Sequence, residues 1–221
     1  MARAAERLAV NADGPFYVDS SCIDCGTCWQ FDPAHFAPSG KSSHVWAQPA
    51  DLAATRTALL ALQACPVAAI GTTRELLAQT PADGFPALVA SLPRGEVHYC
   101  GWASRKSFGA SSWLITRRRA DGGPDNVLID SPRWSAALAR RIEALGGVGR
   151  ILLSHRDDVA DHQAWAQRFG AERWIHSADA AAAPQAEHRF EGTERLRLDD
   201  DLLVIPVPGH TAGCVAVLFE I

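Results

Sequence analysis

The chain has 221 residues, 48% of them apolar, and a formal charge of −4. That length supports one medium domain or two small ones with a sizeable core. The near-neutral balance excludes a general pull toward nucleic acid or anionic membrane, and no apolar run reaches the roughly 20 residues of a membrane span.

Met1 to Val10 mixes Ala with Arg and Glu and lacks the apolar stretch of a secretory signal. Of six cysteines, four lie before residue 66, while Cys100 and Cys214 stand alone and are read as small residues buried in strands. A secreted disulfide scaffold would be smaller and denser in cysteine, so a reducing, cytoplasmic compartment is expected. Residues 1–75 are expected to form a first domain with one helix, Pro49 to Ala64, opened by Pro49 and Asp51 and carrying Leu52, Leu59, Leu60 and Leu62 as apolar positions. Residues 76–95, rich in Pro and Gly, read as a connector with at most one short helix.

From residue 96 the pattern alternates. Val97–Trp102, Ser112–Arg117 and Val127–Asp130 read as strands, with turn chemistry at Asp121–Pro124. A helix over Ser135–Leu145 ends at Gly146 and Gly147, and the apolar run Ile151–Ser154 reads as a buried strand. A helix over Val159–Phe169 stops at Gly170, and Trp174 and Ile175 begin another strand. Leu196–Val207 is a hairpin turning at Asp199, Asp200 and Asp201, and Cys214–Ile221 is again strand-like. The order is α/β with a mixed sheet.

Cys22, Cys25 and Cys28 sit at two-residue gaps, and Cys65 follows much later in Ala64-Cys65-Pro66-Val67. Three thiolates on one loop can hold three corners of a cubane, and a Cys-Pro turn can present the fourth. Gly26 lets the backbone approach closely, and Ile23 and Val67 can exclude water. A zinc ribbon would instead show two separated Cys-x-x-Cys pairs, so a [4Fe-4S] cluster is the expected cofactor. Over about residues 14–72 the chain resembles single-cluster bacterial ferredoxins, including the trailing Ala68-Ala69-Ile70-Gly71. The long gap between Cys28 and Cys65 matches their loss of a second cluster site. The presence of Cys25 favours four irons over three. Residues 1–75 carry seven acids and five bases, so charge steering to an outside acceptor is weak, and exchange with the attached domain is favoured.

A second constellation follows. Ile151-Leu-Leu-Ser-His155-Arg-Asp157-Asp158-Val-Ala-Asp161-His162 runs a strand into a loop rich in His and Asp, and Val207-Pro-Gly-His210-Thr-Ala-Gly213 delivers another His into a glycine turn. Such residues at strand ends build metal sites. Asp157, Asp158 and Asp161 also suit a helix N-terminus near Val159. His35, His44, His98, His176 and His188 carry no motif and read as surface or packing residues.

Residues 96–221 resemble the metallo-β-lactamase fold, whose first motif is His-x-His-x-Asp-His and whose later Pro-Gly-His-Thr adds a ligand. The expected fold class is therefore an α+β ferredoxin-like module followed by an α/β metallo-β-lactamase-like domain, a partial αββα sandwich. The resemblance makes His155, Asp157, Asp161, His162 and His210 the candidate ligands for zinc or iron. It also shows departures. Asp157 stands where the second histidine should be, and the Asp161–His162 pair is displaced by two residues. The family normally continues past the position of Ile221 through a bridging Asp and a final His, so this stretch is expected to hold one metal at most, through His155, Asp157 or Asp161, and His210, and to lack a competent dinuclear hydrolytic site. The apolar terminal strand is expected to promote self-association.

Three functions follow from these readings. The first is an electron-transfer module coupled to a metallo-hydrolase- or oxidoreductase-like domain, acting with a redox protein or a small-molecule substrate. The second is a metal-dependent hydrolase with a structural or regulatory cluster. The third is a non-catalytic iron–sulfur protein whose second domain only binds a partner.

Overall fold

The computed structural model describes residues 2–81, 84–119 and 122–219. Asp121 of the expected turn, two positions of the expected connector and the last two residues of the terminal strand lie outside the described residues. The chain divides into two compact units, Met1–Gly84 with Gly101–Ala110, and Phe85–Cys100 with Ser111–Ile221.

The first unit is small and α+β. In chain order it contains β1 (Tyr17–Val18), α1 (Thr27–Phe31), β2 (Phe36–Ser39), β3 (Ser42–Val45), α2 (Leu52–Ala64), β4 (Ile70–Gly71) and α3 (Arg74–Leu77). β1 pairs antiparallel with β4, and β2 with β3. Asp51 starts α2 by accepting a hydrogen bond from Ala54 N at 2.8 Å. The helix buries Ala58, Leu59, Ala61 and Ala64, whereas Leu52 is 82% exposed and lies off the core-facing stripe. Phe16, Val18, Phe36, Val45, Leu59, Ala69 and Ile70 form the core, together with Cys28 and Cys65. Two ligand-type cysteines are thus part of the packing that holds the unit together.

The second unit is built on a seven-stranded mixed sheet. Its strands are β5 (Ala87–Leu92), β6 (Gly95–Tyr99), β7 (Trp113–Arg117), β8 (Val127–Ile129), β9 (Arg150–Leu152), β10 (Glu172–His176) and β11 (His188–Phe190). Spatial order follows chain order: β5 to β8 pair antiparallel, and β8 to β11 parallel. The stretch expected as a connector therefore contains α3's last residues and an edge strand. The prolines at 86 and 93 flank β5, which an edge strand tolerates.

Helices α4 (Ala136–Ala144) and α5 (His162–Phe169) cross over between β8, β9 and β10. Right-handed crossovers advancing in one direction put both on one face. Ser135 caps α4 by accepting from Leu138 N at 3.3 Å, and the two helices bury Leu138, Ile142 and Trp165. The remaining strands, β12 (Leu196–Asp199), β13 (Leu202–Pro206) and β14 (Val215–Phe219), form a separate antiparallel sheet in the order β12-β13-β14. Its Leu202, Val204 and Val215 pack with Ile115, Val127, Leu152 and Phe190 of the larger sheet. Helices, large sheet and small sheet give three layers, an α/β/β arrangement consistent with the expected partial sandwich. The Asp199–Asp201 turn does more than reverse the chain. Arg117, buried on β7, pairs with Asp125, Asp199 and Asp201, and Arg150 on β9 pairs with Asp199 and Asp125.

Trp165 is fully buried, and its indole Nε1 donates to Pro132 O at 2.9 Å. Trp165→Ala removes both the packing and the bond. It is expected to destabilise the chain by about 3–5 kcal/mol, read as a shift in denaturant midpoint. A loss under about 1 kcal/mol would show that the helix layer is not held through this residue.

Candidate functional site

In the first unit the expected cysteines converge. Cys22, Cys25, Cys28 and Cys65 line one small pocket with Val18, Ile23, Thr27, Ser43, Pro66, Val67, Ala69 and Ile70. The loop that carries the first three turns at Gly26, whose φ of 80° opens α1. The end of α2 and the Pro66 turn deliver Cys65. Backbone N–H groups point at the sulfurs: Asp24 N and Ser43 N donate to Cys22 Sγ at 3.5 and 3.4 Å, and Ala69 N donates to Cys65 Sγ at 3.3 Å. Thr27 Oγ1 lies 3.3 Å from Cys25 Sγ. Burial pushes the Cys28 thiol up to about 12, and each of the other three cysteines adds to the rise. Burial also raises Cys65. Four thiolates this close need positive charge among them. Four sulfur donors in an apolar pocket lined by N–H groups fit an iron–sulfur cluster. Cys100 is buried at the end of β6 in the other unit, and Cys214 accepts from Thr211 N at 3.3 Å, so neither belongs to this group.

In the second unit, polar residues gather at the C-terminal ends of β8, β9 and β10, where α/β sheets commonly place sites. His155, Asp157 and His210 form one group in which a ligand atom from each lies within 4.8 Å of the others. His210 Nε2 donates to Asp157 Oδ2 at 2.7 Å, and the two imidazoles sit 5.2 Å apart, centre to centre. His155 is held through Nδ1 by Ser154 Oγ at 3.0 Å, with Asp158 Oδ2 at 3.5 Å. The His210 hydrogen bond, helped by both imidazole charges against a small burial cost, keeps Asp157 below the usual carboxylate range. Burial raises Asp158; His155 opposes the rise and Asp157 adds to it. Two imidazoles and a carboxylate are a donor set of the type that holds a single zinc or iron ion.

Asp161 and His162 require a correction, because they do not join this group. Asp161 stands at the N-terminal end of α5, where Asp161 Oδ2 accepts from Trp134 N at 2.8 Å. His162 is buried in the first turn of the helix, and burial, then the Arg173 charge, holds its imidazole below the ordinary value. The two extra residues before the Asp-His pair place Asp161 at the N-terminal end of α5, bonded to Trp134 N, and His162 in its first turn. Sequence reasoning also missed the groups that position the site. Asp179, buried after β10, accepts from Arg156 N at 3.2 Å and from the Thr211 hydroxyl, tying the His155 loop to the His210 loop. Gly213 makes room for it, since a Cβ there would lie 2.6 Å from Asp179 Cγ. Asp130, at the end of β8, accepts from Ser154 N at 2.7 Å. Its position at the end of the Val127-Leu-Ile run was the available signal.

Residues 18–72 match the family described as the 4Fe-4S single cluster domain of Ferredoxin I. This stretch is a ferredoxin-type 4Fe-4S domain. The rest of the chain is similar to a hydroxyacylglutathione hydrolase from Acidiphilium cryptum (strain JF-5), 35% identical over 112 residues, with 49% of this chain and 44% of the relative covered. The chain thus spans less than half of that relative's length. Solved metallo-β-lactamases are also similar. One from Cronobacter sakazakii (Enterobacter sakazakii), with the HARLDQ motif, is 19% identical, covering 62% of this chain and 60% of that one at a TM-score of 0.44. BJP-1 of Bradyrhizobium japonicum, of subclass B3, is 16% identical, covering 61% and 58% at 0.42.

Cys65→Ser is expected to lower iron and sulfide content far more than Cys100→Ser or Cys214→Ser, measured on protein purified without oxygen. Equal losses in all three would remove the ligand assignment. A second expectation concerns pH. Burial pushes Asp130 up from the ordinary 3.8 to about 8; the Ser154 N–H opposes the rise and Asp158 adds to it. The folded state therefore holds this proton more tightly than the unfolded chain. Its contribution to stability is complete below about pH 4 and is lost as pH rises toward 8. Asp130→Asn keeps an acceptor for Ser154 N, so its stability relative to the wild type should improve between pH 5 and pH 8 in denaturant titrations. A difference that does not change with pH would show that Asp130 is ionised throughout.

Proposed function

We propose that the chain is an iron–sulfur electron-transfer protein, with the ferredoxin-type module coupled to a metal-binding domain of hydrolase or oxidoreductase type. The observation that carries this reading is the convergence of Cys22, Cys25, Cys28 and Cys65 with N–H donors aimed at their sulfurs. When bound, the cluster supplies one-electron chemistry. The chain's own residues hold it by four thiolates, exclude water with Val18, Val67 and Ile70, and neutralise sulfur charge with the backbone of Asp24, Ser43 and Ala69. In the second unit, His155, Asp157 and His210 would hold one zinc or iron, with Ser154 and Asp158 orienting His155. No helix among the described residues is long and apolar enough to cross a membrane. A cytoplasmic setting and a redox protein or small molecule as partner complete the proposal.

A second reading is favoured by the relative's name and by the three-ligand group. In it, the second unit hydrolyses a hydroxyacylglutathione or related thioester through a metal-bound water, and the cluster is structural or regulatory.

One experiment separates the two. Protein purified without oxygen should carry about four iron and four sulfide per chain. After reduction with dithionite and removal of excess reductant, it should pass electrons to an added one-electron acceptor. Metal bound outside the cluster should be lost in His210→Ala and kept in His162→Ala. A reduced cluster that stays reduced in the presence of acceptors, together with hydroxyacylglutathione hydrolysis abolished by His210→Ala, would put the second reading in place of the first.

A further inference from the structure

The match to the single-cluster family ends at residue 72, but the surroundings of Cys25 extend further along the chain. The segment Gly101–Ala110 joins β6 to β7 in chain order, yet belongs to the first compact unit. It is anchored at two places. Ala103 N donates to Ala64 O at 3.2 Å, one residue before Cys65. Thr27 Oγ1, between Cys25 and Cys28, donates to Gly109 O at 3.1 Å. One segment is thus bonded to both the local cysteine loop and the residue that precedes the remote cysteine.

The segment is braced internally. Ser104 Oγ accepts from Lys106 N at 3.2 Å, and its carbonyl accepts from Gly109 N at 2.9 Å. Ala103, Ser104, Ser107 and Gly109 are buried. Gly109 has a φ of +87°, and a Cβ there would lie 2.6 Å from Cys25 Cβ, 2.9 Å from Cys25 Sγ and 3.4 Å from Pro66 Cγ. Only bare backbone fits against this cysteine. The Thr27 hydroxyl has one proton and two candidate acceptors, Cys25 Sγ and Gly109 O.

We infer that Gly101–Ala110 is a wall of the cluster compartment, and that Gly109 and Thr27 are positioning residues that set water access and hydrogen bonding at Cys25. Hydrogen bonds to the sulfurs and solvent exposure both tune cluster potentials, so the wall is expected to influence potential as well as retention. The inference rests on the cluster assignment made above.

The test uses the full chain loaded with its cluster. Gly109→Ala is compared with Gly40→Ala, which has a similar φ of +69° but no atom within 4 Å of the added methyl. Release of iron to a chelator should be faster in Gly109→Ala by roughly tenfold or more, with Gly40→Ala at the wild-type rate. Thr27→Val should shift the midpoint potential and alter the electron paramagnetic resonance of the reduced protein, while Thr27→Ser restores both. Iron release from Gly109→Ala no faster than from Gly40→Ala, or a wild-type potential in Thr27→Val, would overturn the inference. Should Gly109→Ala not take up a cluster, the Thr27→Val and Thr27→Ser pair decides. If the wild type itself carries no cluster, the assignment fails before the wall is tested.

Discussion

Four cysteine thiols share one largely apolar pocket in the first unit, and most of that unit's architecture answers to this crowding. Buried thiolates repel one another and lack solvent, so they need a positively charged partner and donors around their sulfurs. The loop through Gly26 turns tightly enough to bring three of them together. Helix α2 and the Pro66 turn carry in the fourth, and the β1–β4 pair closes the chain behind it. Because Cys28 and Cys65 also belong to the apolar core, ligand geometry and folding are coupled, as in other small domains where a metal group contributes folding energy.

The second unit solves a different problem. Its parallel strands β8, β9 and β10 end side by side, and each end delivers a polar residue: Asp130, then Ser154 and His155, then Asp179 shortly after β10. The small sheet contributes His210 from the turn between β13 and β14. Two loops distant in sequence meet because Asp179 bonds to both of them, and because Val215 N donates to Ser154 O at 2.8 Å. The result is two imidazoles and a carboxylate whose ligand atoms lie within 4.8 Å of one another.

Of the two units, the first is the better constrained by its donor set. Its four cysteines lie within a stretch that matches a single-cluster 4Fe-4S family. The second unit's donor set suits more than one metal, since zinc and iron both accept imidazole and carboxylate ligands. Fold likeness alone does not choose between hydrolysis and redox use of such a centre.

The sequence by itself determined the local features. The Cys22, Cys25, Cys28 spacing and the Cys65-Pro66 step were legible because the chemistry resides in short-range geometry, and α2 and α4 were legible from the caps Asp51 and Ser135. Tertiary structure decided what depends on distant segments. Leu52 looked like a core position but faces solvent, because only packing defines which helix stripe is inside. Strand β5 was hidden among prolines, because an edge strand needs only one neighbour to form. Asp161 and His162 looked like ligands by motif, but Asp161 bonds to Trp134 N at the start of α5 and His162 is buried in its first turn, while Asp157 groups with His155 and His210. Asp179 and Gly109 bear no local signature. Their roles arise only when the chain folds back on loops many residues away, where a carboxylate has two donors to satisfy and a backbone has a cysteine to accommodate.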